Sequence, residues 1–266
     1  MRDALDPVSL NFWRWAIAAL VIAPFTLAAV IAQREVLRRH AGILLLLALI
    51  GVALFQTLVF LGLRTTTAVN AVLINSSAPL FMVLCSWFLE RERATLRQVA
   101  GMLVSAAGIA IILCRGEPGR LLDLQFQSGD AWILLAMPVW GLYSVLLKRR
   151  PGALGGYAFL FVISVAGVAM LAPFYALQAV AAPPRWPTAA EALALLYIAV
   201  GASVLAFAFW NRAVAQVGAN AAGFTLHLLP AFGTLLAMVF LGEAFAVFHA
   251  VAFATILAGV FLATRR

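Results

Sequence analysis

Residues 70–92, NAVLINSSAPLFMVLCSWFLERE, and residues 220–243, NAAGFTLHLLPAFGTLLAMVFLGE, decide how this chain is read. Each opens on an asparagine, carries one interior proline and stays uncharged until a glutamate near its end. As a helix, a segment of that length and apolarity crosses ~30 Å of hydrocarbon with every backbone group bonded inside the segment. The two are also copies: Pro79, Glu92 and Gly108 recur as Pro230, Glu243 and Gly259, each 151 residues on. Gly51 and Asn70 recur as Gly201 and Asn220 at an offset of 150, and Ala23-Pro24-Phe25 as Ala172-Pro173-Phe174 at 149. A colinear set of this kind marks an internal duplication.

Outward from these segments the rest of the chain has the same character. Its 266 residues are 65% hydrophobic and 11% charged, with a mean hydropathy of +1.05. An ordinary soluble domain is roughly 45–50% apolar and about 25% charged, so no soluble fold hides this much apolar surface. The uncharged runs predict nine spans, near residues 8–31, 41–63, 66–89, 96–114, 130–147, 156–178, 190–212, 218–241 and 246–263. The runs are continuously apolar, which suits lipid-buried helices and not alternating barrel strands. The expected fold class is therefore all-α, a polytopic membrane protein with nine transmembrane helices. A signal peptide is the rival reading of the first run, since Arg14 precedes it and Val30-Ile31-Ala32 resembles a cleavage site; the similar runs that follow favour a span.

The net charge of +8 raises nucleic acid as a partner, but the basic residues stand in small groups between spans, where they orient a chain in a bilayer. The expected partners are a lipid bilayer and a small-molecule substrate, without nucleic acid. Alternate connections hold Arg34, Arg38 and Arg39, then Arg91, Arg93 and Arg97, then Lys148, Arg149 and Arg150, then Arg212, then Arg265 and Arg266. The opposite side holds Arg2, Arg64, Arg115, Arg120 and Arg185. This asymmetry places the first set and the C-terminus in the cytoplasm. Cys85 and Cys114 fall in spans without CxxC spacing and read as core residues.

Duplicated helices here lie five spans apart, and an odd separation turns the two copies over in the membrane. Inverted repeats of this kind build carriers whose site lies near the midplane. The expected division is a first repeat over 1–115 with four helices and a second over 130–266 with five. The unmatched helix of the first repeat is expected upstream of Met1, in a ten-helix parent fold with both termini cytoplasmic.

All ten acids fall in connections or at span ends. That distribution disfavours intramembrane prenyl transfer, zinc proteolysis with HExxH and aspartyl proteolysis, each of which needs carboxylates or ligands clustered inside the barrier. No metal site and no cofactor is expected. Within the spans Arg14 and His227 remain ionisable. Arg14 reads either as snorkelling or structural, or as the partner of a substrate carboxylate. His227 shares a helical face with Asn220, Phe224 and Pro230, and reads either as an interhelical hydrogen bond or as cavity wall.

Gln56, Asn70, Asn75, Ser76 and Ser77, with Trp140, Tyr143, Trp210, Asn211 and Asn220, complete the polar and aromatic candidates, since amides hold zwitterions and rings give an apolar or cation-π wall. The cavity assignment is Gln56, Asn75, Trp140, Tyr143 and His227, joined by Arg14 and Asn220. Pro79 and Pro230 read as gating hinges or fixed bends. Glu92 and Glu243 read as helix-opening acids or as a gate ion pair. Trp13, Trp132 and Trp186 sit near predicted interfaces and read as membrane anchors.

Taken together, Asp6-Pro7 with Asn11-Phe12-Trp13-Arg14, Asn70 to Pro79, Glu92 and Gly108, and the second set Trp140-Gly141, Asn220, Pro230, Gly242-Glu243 and Gly259, resemble the EamA family of the drug/metabolite transporter superfamily. Arg91-Glu92 departs from that pattern, which has Gly-Glu there, and the opening helix of the first repeat is absent. The resemblance implies a ten-helix basket in the bacterial inner membrane, exporting or exchanging amino acids or similar metabolites by alternating access. A monomer or weak homodimer is expected. An intramembrane enzyme and a structural subunit of a membrane complex are the rival readings.

Overall fold

The computed structural model describes residues 6–117, 119, 124–181, 187–241 and 244–265. Among these, nine helices are long and apolar enough to cross a membrane: α1 Pro7–Ala32, α2 Ala41–Thr65, α3 Ala68–Glu90, α4 Leu96–Leu113, α5 Ser128–Arg149, α6 Gly156–Ala181, α7 Ala189–Val217, α8 Ala219–Phe240 and α9 Val247–Thr264. Local chemistry starts them where the sequence offers a cap. Asp6 accepts a hydrogen bond from the Val8 N–H with Pro7 in the first turn of α1; Thr95 with Gln98 and Thr188 with Glu191 form capping boxes at α4 and α7.

The chain forms two compact units. The first comprises residues 1–64 and 146–216, and so contains α1, α2, α6 and α7; the second comprises residues 65–145 and 217–266, with α3, α4, α5, α8 and α9. Each unit thus draws helices from both halves of the chain.

In the first unit α1 lies along α6. The Ser9 hydroxyl donates to Gln178, Trp13 Nε1 to the Tyr175 hydroxyl, and the Phe12 and Tyr175 rings stack at 4.5 Å. Rising numbers on α1 meet falling numbers on α6, so the two run antiparallel. In both α2 and α7 the helix widens to a π-helix, at Ala48–Leu54 and Ile198–Leu205, around the duplicated glycines Gly51 and Gly201. Gly167 of α6 lets Val52 of the first π stretch approach so closely that a Cβ there would stand 2.2 Å from Val52 Cγ1.

In the second unit α4 and α9 cross through glycine. A Cβ on Gly108 would meet Ala252 O and Ile256 N at 2.9 Å, and one on Gly259 would meet Gly101 O at 2.6 Å and Ser105 N at 2.3 Å. The contacts exchange roles under the 151-residue offset, and their order shows α4 antiparallel to α9. Gly141 of α5 packs in the same manner on the Phe81 backbone of α3.

Pro79 and Pro230 stand near the starts of helical segments and not within continuous ones. The first segment of α3 ends at Asn75, Ser76 and Ser77 form a turn, and Ala78–Glu90 starts anew with Pro79 in its first turn. Likewise α8 tightens to a 3₁₀ turn at Thr225–His227 before Leu228–Leu241 begins, with Pro230 third. A first-turn proline removes no intrahelical bond, so the break precedes it by about one turn instead of falling on it. The Ser76, Ser77 and Thr225 hydroxyls donate back to the carbonyls of Val72, Ile74 and Ala222, which also accept backbone N–H groups of the same turns.

Candidate substrate-binding site

Arg14 projects from α1 into the first unit and is 3% exposed. It does not snorkel. Its Nε donates to the Ser203 hydroxyl in the π stretch of α7, and its Nη1 donates to Gln56 Oε1 on α2 at 2.8 Å. The guanidinium carbon stands 5.4 Å from the Trp15 ring centroid and 5.7 Å from that of Phe60. Both hydrogen-bond partners are neutral. A guanidinium has five N–H donors, and the bonds to Ser203 and Gln56 use two of them. A buried cation without an anion is costly, and stacking on two rings offsets only part of that cost.

One turn before Arg14, Asn11 donates through Nδ2 to Val52 O at 2.9 Å, to Ala53 O at 3.3 Å and to Thr57 Oγ1 at 3.0 Å. The π-helix of α2 explains the two carbonyls, because widening the turn re-aims backbone acceptors. These donations fix the amide's orientation and leave Asn11 Oδ1 buried without a partner. Trp15 Nε1, wholly buried and edge-on to Phe207 at 4.8 Å, is also without one. Along α1 the unit therefore holds a buried guanidinium with neutral partners, an unsatisfied donor on Trp15 and an unsatisfied acceptor on Asn11.

The other sequence candidates lie in the second unit. His227 is fully buried, its Nε2 2.8 Å from the Ser76 carbonyl and its Nδ1 on the Ser105 hydroxyl. A carbonyl only accepts, so Nε2 carries the hydrogen, and in the neutral ring Nδ1 accepts from Ser105. Ser76 is the position equivalent to His227 under the repeat, so the two helix breaks meet at this bond. Both ring nitrogens are engaged by protein. His227→Leu is accordingly expected to lower thermal stability by about 1–3 kcal/mol, since the Ser76 carbonyl loses its partner away from water. Thermal unfolding of the purified protein checks this. Unchanged stability with impaired transport would assign His227 to a cavity wall.

Asn220 accepts from Ser86 at 2.9 Å, and Trp140 stacks on Tyr143 with centroids 5.3 Å apart, both rings buried. Asn75 is half-buried at the end of the first α3 segment. Glu92 is exposed just beyond α3, its backbone N–H on Ser86 O; Glu243 lies outside the described residues, as do Gly242 and Trp186. Trp13 and Trp132 are exposed at 41% and 44%.

Four residues that the sequence reading left aside matter here. Ser203 and Asn11 complete the surroundings of Arg14, Ser105 holds His227, and Asp130 is a buried carboxylate at the opening of α5. Asp130 accepts from the Thr66 hydroxyl, from Asn70 Nδ2 at 2.7 Å and from the Gln127 N–H at 2.8 Å, tying α3 to α5. Its place at a span end looked like a connection. The available signal was the trio Thr66, Asn70 and Asp130, three polar groups at the ends of facing spans.

The chain matches the EamA-like transporter family over residues 1–114 and 127–265. A protein of Archaeoglobus fulgidus described as an uncharacterized transporter is 32% identical, over 98% of this chain and 89% of its own length. A probable terminal-alkyne amino-acid exporter of Streptantibioticus cattleyicolor is 29% identical over 99% of this chain and 86% of its own length. A solved crystal structure superposes with a TM-score of 0.75 at 25% identity, covering 99% of this chain and 88% of the other. With nine apolar helices and a match along both halves, the chain belongs to the EamA-like transporter family and is a multi-pass membrane transporter, not an enzyme.

Proposed function

We propose that this transporter exports or exchanges amino acids or similar carboxylate-bearing metabolites by alternating access, with Arg14 receiving the carboxylate. The observation that carries the reading is the guanidinium, buried in a membrane span with neutral partners and no ion pair among the described residues. An intramembrane cation of this kind is a functional group first. A carboxylate supplies the missing charge and takes parallel N–H donors from Nη1 and Nη2. Asn11 Oδ1, one turn away, is an acceptor suited to an ammonium group, so donor and acceptor together match a zwitterion. The name of the Streptantibioticus relative, an amino-acid exporter, agrees with that chemistry.

Gln56 and Ser203 hold the guanidinium in register from α2 and α7, next to the two π-helical stretches. Such stretches often mark functional positions in helices, and here they give α2 and α7 the latitude to release the solute. The antiparallel pairs α1 with α6 and α4 with α9 support an inverted repeat over 1–115 and 130–266. Asn75, Trp140, Tyr143 and Asn220 are solute contacts of the second unit in this reading, Pro79 and Pro230 mark the helix breaks, and Glu92 and Glu243 are the gate acids, Glu243 lying outside the described residues. The protein sits in the bacterial inner membrane with a cytoplasmic C-terminus, as a monomer or weak homodimer.

Counterflow into proteoliposomes tests the proposal. Labelled zwitterionic amino acids are expected to accumulate and amines lacking a carboxylate to be excluded. Equal movement of both classes, or movement of neither, would overturn it.

A further inference from the structure

Two arginines line a pocket in the first unit, at the end where α6 begins and α7 finishes. A pocket of about 400 Å³ is lined there by Arg150, Gly156, Tyr157, Phe209, Arg212 and Gln216, among others. Arg150 is half-buried and held beside the Phe159 ring, 5.7 Å from its centroid; Arg212 is exposed. No carboxylate lines the pocket, and neither guanidinium forms an ion pair among the described residues. The neighbouring pocket, of about 240 Å³, differs in this respect: Glu35 stands in its wall with Arg39 and His40. Gly156 and Tyr157 open α6, so backbone N–H groups without intrahelical acceptors lie at the same wall.

The pocket's apolar side identifies what the anion is attached to. The Phe209 and Tyr157 rings are 66% and 51% exposed, on helices whose outward faces are apolar. Guanidinium groups beside lipid-facing aromatics match a phosphate ester carried on acyl chains. We propose that Arg150 and Arg212 bind the phosphate of an anionic phospholipid of the adjoining leaflet, with Gln216 and the Tyr157 hydroxyl on the headgroup and Phe209 against a chain. The site uses none of the residues assigned to the solute, and it stands or falls independently of the substrate reading.

Native mass spectrometry of the full chain in detergent, titrated with phosphatidylglycerol or phosphatidylcholine, tests it. Two arginines near a membrane surface are expected to favour phosphatidylglycerol by about thirtyfold, a preference lost in Arg150→Gln/Arg212→Gln. Arg34→Gln/Arg38→Gln removes the same charge from the same side and is expected to keep the preference. Arg150→Lys/Arg212→Lys, which keeps charge without the guanidinium fork, is expected to retain part of it and guards against a folding defect in the glutamine variant. Equal retention of the two lipids by the natural chain, or loss of preference in both glutamine variants alike, would overturn the site. Displacement of phosphatidylglycerol by low-millimolar inorganic phosphate would overturn the lipid as its source.

Discussion

Arg14→Gln is expected to cut amino-acid counterflow by about 100-fold while leaving the thermal midpoint unchanged or higher, the flux loss being what roughly 3 kcal/mol of a charge pair amounts to. The two outcomes point in opposite directions for a physical reason. In the protein without solute the guanidinium is a buried charge with neutral partners, so replacing it with an amide removes a desolvation cost. In the proposed solute complex that charge is the carboxylate's partner, and an amide does not replace it. A structural arginine predicts the reverse, with lost stability and transport failing only as folded protein is lost. Measuring flux and thermal midpoint on the same preparation separates them, and a concerted fall in both would remove Arg14 from the solute site. Arg14→Lys is expected to recover little, because the fork that engages Ser203 and Gln56 together is absent from an ammonium group.

Gly259→Val is expected to yield no folded protein. A Cβ at this position lies 2.3 Å from the Ser105 backbone N and 2.6 Å from Gly101 O, so rotation of a side chain relieves neither clash. Separating α9 from α4 instead breaks the most extensive helix contact among the described residues of the second unit, at a cost upwards of about 4 kcal/mol. Gly233→Ala is the contrast: nothing lies within 4 Å of the added methyl, and an exposed mid-helix glycine is expected to gain about 0.5–1 kcal/mol on becoming alanine. Thermal unfolding monitored by size-exclusion in detergent reads both. A Gly259→Val variant that elutes and melts like the natural chain would show that α4 and α9 do not approach as described.

Much of this protein was legible in one dimension. Hydrocarbon thickness fixes helix length, and the absence of water forces backbone groups to bond within their own segment, so uncharged runs alone predicted the nine spans to within a few residues. The duplication was legible because equivalent structural demands kept Gly51 with Gly201, Pro79 with Pro230 and Gly108 with Gly259 in step. In space these pairs became the two π-helical stretches, the two helix breaks and the α4–α9 crossing. Polar residues inside the apolar runs were visible too, and Arg14, Gln56 and His227 stood out on that ground.

Tertiary structure alone decided which helices share a unit, since in lipid every face of a helix is apolar and the periodicity that marks the buried face of a soluble helix is lost. It also decided what each polar group meets. Ser203 reaches Arg14 across 189 residues, and Ser105 reaches His227 across 122. Short hydroxyl side chains look inert in an apolar run until packing sets a donor or acceptor beside them. The same holds for Asp130, a span-end acid by position that packing against α3 turned into a buried anchor. Composition determined that the chain lives in a membrane; only the packing of its small polar groups determined where, inside it, a charge is buried among neutral partners.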